Sequence, residues 1–198
     1  MSKVILEKKL PIGKLTVHNA KPELDGLIGV HQIHSAEIVE YTGNDISKVK
    51  VDGILVLNEN IKTKFFAIKT ADCMPVIFIG TKGICIIHAG WVGLRDKILV
   101  YMDIKKINPY YCYIGPSIGV DSFEVQNDFK NNFPDSPYFV QNKDFLSFNL
   151  RKEATQQIKI SFPSIDIEYS DECTYKNCEY NSFRRDKTTE RNWNIFSI

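Results

Sequence analysis

Four apolar runs of strand length crowd the first half of the chain: "VDGILVL" (51–57), "KFFAIK" (64–69), "PVIFI" (75–79) and "GICIIH" (83–88). Ile, Val and Phe dominate them and turn residues bound them, which predicts β-strands. The runs are continuous rather than alternating, so they suit strands buried on both faces. Gly80-Thr81-Lys82-Gly83 turns the chain between the last two. Earlier, residues 3–9 and 14–18 alternate loosely around Pro11 and Gly13, the pattern of a hairpin. "AEIVEY" (36–41) is a further short strand.

After Trp91 the period changes. Leu94, Ile98, Tyr101 and Met102 fall near helical spacing and predict a helix over 92–106. "YYCYI" (110–114) returns to strand character, and "GPSIG" (115–119) is a loop. Ser122 is placed to cap a helix running to about Phe133, with Phe123, Phe129 and Phe133 on its buried side. Leu150, Ala154 and Ile158 mark another helix, and "IDIEY" (165–169) a late strand. Strands and helices mix without strict alternation. The expected fold is therefore α/β of the α+β type, with mixed β-sheets flanked by helices.

The chain has 198 residues and no internal repeat or composition shift, which suits one domain over 1–198. A hydrophobic content of 43% fits a folded globular protein. The net charge of +1 gives no global field for nucleic acid or an anionic membrane. No apolar run nears the ~20 residues of a spanning helix. The first fifteen residues lack the apolar centre of a signal peptide. The five cysteines, an odd number, point to a reducing cytoplasm rather than a disulfide framework. There is no CxxC pair and no P-loop spacing.

Candidate chemistry lies at the ends of the apolar runs. Cys73 sits between Asp72 and Met74-Pro75, and His88 stands before Ala89-Gly90-Trp91. Alone, His88 reads as a hydrogen-bonded core histidine and Cys73 as packing. "HQIHS" (31–35) adds His31 and His34 in what reads as a loop or strand end. Two imidazoles and one thiolate make a plausible zinc set, and three protein ligands leave a fourth position open, as in catalytic sites. Such a centre lowers the pKa of a bound water. The same residues allow a rival, with Cys73 as nucleophile and His88 as its base in a metal-free hydrolase. In "SFRRDK" (182–187), Arg184 and Arg185 are adjacent guanidinium groups, suited to phosphate, although alone such a pair reads first as a solvated basic turn.

These stretches, in order, resemble the laccase-domain family, long labelled multicopper polyphenol oxidase and now viewed as purine nucleoside phosphorylases. The matching pieces are "HQIHS", "VDGILV", "TADCMPVIF" (70–78), "HAGWVGL" (88–94), "IGPSIGVDSFEV" (114–125), "CTY" (173–175) and "SFRRDKTTERNWNIF" (182–196). The resemblance implies a cytosolic enzyme with zinc held by His34, Cys73 and His88. It would cleave adenosine, inosine, guanosine or methylthioadenosine with phosphate to the free base and ribose 1-phosphate, and deaminate adenosine. Arg184 or Arg185 would hold phosphate. Asp72 is a candidate to protonate the base because it adjoins Cys73, or to orient a ligand. Copper and phenol oxidation, the older label, fit less well with four histidines in all. A non-catalytic nucleoside-binding module is a further alternative. Purine nucleoside and phosphate are the expected partners, with neither nucleic acid nor membrane.

Three departures stand out. Val92 replaces the arginine that usually follows HAGW, with Arg95 one helical turn on. Phe183 replaces a tyrosine. About 30 residues precede "HQIHS", so the family's longer N-terminal segment is missing or reduced.

Overall fold

The computed structural model describes residues 2–61 and 64–198. In chain order its strands and helices are β1 (Val4–Lys9), β2 (Lys14–His18), β3 (Leu27–Gly29), β4 (Ile38–Glu40), β5 (Gly53–Leu57), β6 (Phe65–Thr70), β7 (Met74–Gly80), β8 (Gly83–Ala89), α1 (Trp91–Arg95), β9 (Pro109–Ile114), β10 (Glu124–Val125), β11 (Phe139–Gln141), β12 (Leu146–Phe148), α2 (Leu150–Ser161), β13 (Asp166–Tyr169), α3 (Phe183–Asp186) and β14 (Asn192–Ser197). Short 3₁₀ turns fill several connections.

β7 and β8 are buried along their whole length. They lie at the centre of a six-stranded mixed sheet ordered β13-β9-β7-β8-β5-β4. Successive side chains on a strand point to opposite faces, and here both faces meet apolar neighbours. Met74, Val76 and Phe78, with Cys85 and Ile87, pack toward α1, α2 and the phenylalanine cluster. Ile77, Ile79, Ile84 and Ile86 pack the other way onto Leu15, Val17, Phe66, Ile68 and Phe196 of a five-stranded sheet, β1-β2-β14-β6-β3. A three-stranded sheet, β10-β12-β11, carries part of the phenylalanine cluster. The sandwiched position explains why these runs are apolar at every residue. The mixed α+β architecture and the 3–9/14–18 hairpin are as expected from the sequence.

Two expected helices are different. Over 92–106 the α-helix stops at Arg95, because Lys97 adopts a left-handed backbone (φ 67°). Two 3₁₀ turns follow, Ile98–Val100 and Met102–Ile107, separated by an extended Tyr101. The buried spacing of Leu94, Ile98, Leu99 and Ile104 survives the break, while Met102 is exposed. The stretch from Ser122 to Phe133 is likewise a 3₁₀ turn, the short strand β10 and a second 3₁₀ turn over Asn127–Asn132. Ser122 closes the first turn instead of capping a helix. Phe123 and Phe133 are nevertheless buried, and the Phe129 ring meets both, edge-on to Phe123 and tilted against Phe133. Aromatic burial fixed those positions without helical hydrogen bonding.

Among the described residues no helix is long and apolar enough to cross a membrane.

Candidate metal centre and cavity

The turn between β6 and β7, the end of β8 and the loop between β3 and β4 meet at one end of the central sheet. They carry Cys73, His88 and His34. The ligand atoms of these three residues lie within 4.8 Å of one another. Donors on a tetrahedral zinc sit roughly 3.5 Å apart, so small side-chain adjustments bring all three to one ion. The rings of His34 and His88 meet edge-on at 4.8 Å between centroids.

Each ligand is set by local structure. His88 is buried at the end of β8, and its Nδ1 lies 2.7 Å from Asp52 Oδ1. That contact leaves Nε2 for a ligand. The other carboxylate oxygen of Asp52 accepts from the amides of Ile33 (3.2 Å) and Ser35 (2.6 Å) and from the Ser35 hydroxyl (2.9 Å). Those donors flank His34, whose backbone is left-handed (φ 61°). One fully buried carboxylate thus fixes two of the three candidate ligands. Cys73 follows Asp72, another left-handed residue (φ 84°), in the turn before β7.

Gly90 borders the group. A Cβ there would fall 2.8 Å from Cys73 Sγ and 3.6 Å from His34 Cδ2. Close approach to the thiol, rather than backbone freedom, requires glycine in "HAGW".

The electrostatics favour a thiolate. Burial opposes charge on Cys73, yet the adjacent His88 and hydrogen bonds from His34 and His88 bring its pKa down to about 6. Burial also opposes charge on His88, but Cys73 and Asp52 raise it to about 9. Asp52, despite its burial, is held at about 2 by His88 and the Ser35 donors. Two imidazoles and a thiolate are donors that zinc and copper both accept. The remaining cysteines are free, and burial pushes the Cys85 and Cys112 thiols upward, so those two are packing groups.

The three residues open onto a cavity of about 830 Å³. Trp91, Phe123 and Phe183 supply aromatic wall; Lys69, Arg184, Lys187 and Arg191 supply positive charge. Trp91, Phe123 and Arg184 also line a neighbouring hollow of about 300 Å³.

The arginine pair divides. It lies in the short helix α3, capped by Ser182. Arg184 lines the cavity, with its guanidinium 5.1 Å from the Phe123 ring and bonded to the Glu124 carbonyl (2.8 Å). Arg185 does not line it. Its guanidinium donates to the carbonyls of Thr174, Tyr175 and Tyr180 and pairs with Asp186. Asp72 lies on the cavity wall, but its oxygens accept from Thr174 Oγ1 (2.8 Å) and the Arg184 amide (2.6 Å). It ties the "CTY" and "SFRR" stretches to the turn that carries Cys73. Arg95 is bonded to Asp96 and stacks on Trp91 outside the cavity. His31 forms a strand bridge with Lys50 and is not in the metal group.

Sequence reasoning missed Asp52. Its signal was an acid at the mouth of a wholly apolar run, "VDGILVL", where an unpaired charge would be costly. It also missed Gln32 and Lys69. The Gln32 side chain accepts from the Lys69 amide (2.8 Å) and donates to its carbonyl (2.7 Å), and both residues line the cavity.

A family model described as multi-copper polyphenol oxidoreductase laccase matches residues 14–198. The purine nucleoside phosphorylase YfiH of Shigella flexneri is 29% identical over 178 residues, covering 83% of this chain and 70% of that protein. The purine nucleoside phosphorylase of Aquifex aeolicus is 27% identical over 164 residues, covering 81% and 77%. The crystal structure of the hypothetical protein YfiH from Bacillus licheniformis superposes with a TM-score of 0.77 at 25% identity, covering 90% of this chain and 76% of that one. A Neisseria meningitidis protein shares the fold over 99% of both chains, at 19% identity and a TM-score of 0.77.

Proposed function

Since this chain belongs to the multi-copper polyphenol oxidoreductase laccase family, we propose that it is a zinc-dependent purine nucleoside phosphorylase of one domain that also deaminates adenosine. The observation that carries this reading is the convergence of His34, Cys73 and His88 beside an aromatic and cationic cavity. The curated relatives named purine nucleoside phosphorylase support the substrate class.

The residues divide the work as follows. His34, Cys73 and His88 hold the metal, with Asp52 fixing the tautomer of His88 and the loop of His34. When bound, zinc supplies a Lewis acid and an acidified water. Trp91, Phe123 and Phe183 offer π-faces to a planar purine. Arg184 binds inorganic phosphate through a planar fork that matches its oxygens. A phosphate oxygen attacks C1′ of the ribose, and the C1′–N9 bond breaks with its electron pair leaving on the purine. Asp72 holds the amide of Arg184 and so sets the phosphate against the sugar; as the carboxyl on the cavity wall it is also the candidate for proton transfer to the base. In deamination, water replaces the 6-amino group of adenosine within the same cavity.

The thiolate–imidazolium character of Cys73 and His88 favours a second reading, a metal-free Cys–His hydrolase. One experiment separates the two. Purified protein is incubated with adenosine and phosphate, and products are resolved by chromatography beside a Cys73→Ala control. Adenine, ribose 1-phosphate or inosine that disappears with a chelator and returns with zinc supports the phosphorylase. Turnover that survives chelation and His34→Ala but not thiol alkylation supports the hydrolase.

A further inference from the structure

The cavity carries more positive charge than a nucleoside and one phosphate require. Lys69, Arg184, Lys187 and Arg191 all line it. Among the described residues, none of the four lies within ion-pair distance of a carboxylate. Asp72 is the carboxylate on the wall, and its oxygens are bonded to Thr174 and the Arg184 amide. Outside the cavity the pattern reverses: Arg95 closes onto Asp96 and Arg185 onto Asp186.

The four cations form two sets. Arg184 belongs to the wall shared with the smaller hollow of Trp91 and Phe123. Lys69, Lys187 and Arg191 do not line that hollow. Lys69 and Arg191 come from neighbouring chain segments, since Thr70 of β6 pairs with Asn192 of β14. The Lys69 backbone is clamped on both sides by Gln32, and its ammonium stands 5.7 Å from the Trp193 ring. Arg191 donates through Nη1 alone, to the Thr188 and Glu190 carbonyls, which leaves the rest of its fork available. Lys187 stands 5.3 Å from the Phe183 ring.

A neutral nucleoside offers the second set hydroxyl and ring acceptors but no charge to pair with. Cations gathered on a concave wall repel one another and favour an anionic ligand. At about 830 Å³ the cavity is near the upper end of small-molecule sites, roomy enough for more than a nucleoside and inorganic phosphate. We propose that the site takes a purine nucleoside 5′-phosphate, with the 5′-phosphoryl group held by Lys69, Lys187 and Arg191 and inorganic phosphate held by Arg184. This rests on the phosphorolysis reading above. The reaction balances with no further reagent: an oxygen of hydrogen phosphate bonds C1′, the C1′–N9 bond breaks, and the proton of that hydrogen phosphate ends on the purine. The products are the free base and ribose 1,5-bisphosphate.

The test compares AMP with adenosine on the zinc-loaded protein, by calorimetric binding and by product analysis with added phosphate. The expected result is AMP binding tighter by at least about tenfold, the scale of charge-assisted hydrogen bonds. The advantage shrinks at high salt and in Lys69→Gln/Arg191→Gln, and persists in the charge-keeping Lys69→Arg/Arg191→Lys. Adenosine cleavage with AMP bound no better overturns the inference and leaves phosphorolysis standing. AMP preferred in binding with neither compound cleaved upholds the ligand class and removes phosphorolysis. Binding of neither compound overturns the inference.

Discussion

Asp52 Oδ1 stands 2.7 Å from His88 Nδ1, and both side chains are buried. Since the same carboxylate also accepts from Ser35 and Ile33 beside His34, it links two ligand-bearing segments. Asp52→Asn keeps the shape but removes the charge. Zinc affinity in a chelator competition is expected to fall about 10–100-fold, as for other carboxylates behind a metal-bound histidine. Asp52→Ala is expected to cost about 3–5 kcal/mol in urea unfolding, because it strands buried partners. Unchanged affinity in Asp52→Asn would remove its positioning role.

Gly90→Ala places a methyl group 2.8 Å from Cys73 Sγ. The thiol must move, and the cost to folding is about 1–3 kcal/mol by analogy with overpacked cores. Zinc content per chain is expected to drop by more than half while the circular dichroism spectrum stays native. Full zinc content in this variant would show that the thiol has freedom the geometry denies it.

Arg184 and Arg185 are neighbours with different surroundings. Arg184→Ala is expected to raise the KM for phosphate by at least about tenfold, the loss of one charge-assisted contact, with a smaller change in the KM for nucleoside. Arg185→Ala is expected to lower stability by about 1–3 kcal/mol, because three carbonyls lose their donor. Steady-state kinetics and urea titration of both variants check the division; a phosphate KM that moves equally in both would contradict it.

Phe148 is fully buried, with its ring 4.6 Å from those of Phe133 and Phe139 and 5.6 Å from that of Phe129. Phe148→Ala is expected to cost about 3–5 kcal/mol. Chemical denaturation measures it. A loss below about 1 kcal/mol would mean the cluster collapses around the gap.

The legible parts of the fold are those where burial acts residue by residue. β7 and β8 could be read because a strand covered on both faces has no polar position to offer. The 92–106 segment could not, because the left-handed turn at Lys97 leaves no mark when a lysine rather than a glycine adopts it. The phenylalanines at 123, 129 and 133 announced their burial but not their backbone. At the site, Cys73 and His88 stand out by chemical type at the ends of apolar runs, whereas the family resemblance singles out His34 over His31. Asp52 was hidden because an Asp-Gly pair before a strand also reads as turn chemistry. Arg185 was hidden because its partners are backbone carbonyls, which the sequence does not distinguish.

The most direct measurement is zinc per chain, by elemental analysis, in the native protein and in His34→Ala, Cys73→Ala and His88→Ala, each assayed for adenosine phosphorolysis. The expected result is one zinc in the native chain, a large loss in each variant, and product formation that follows the metal. Native protein that cleaves adenosine with no bound metal, or any of the three variants retaining both metal and turnover, would contradict a centre built from these side chains.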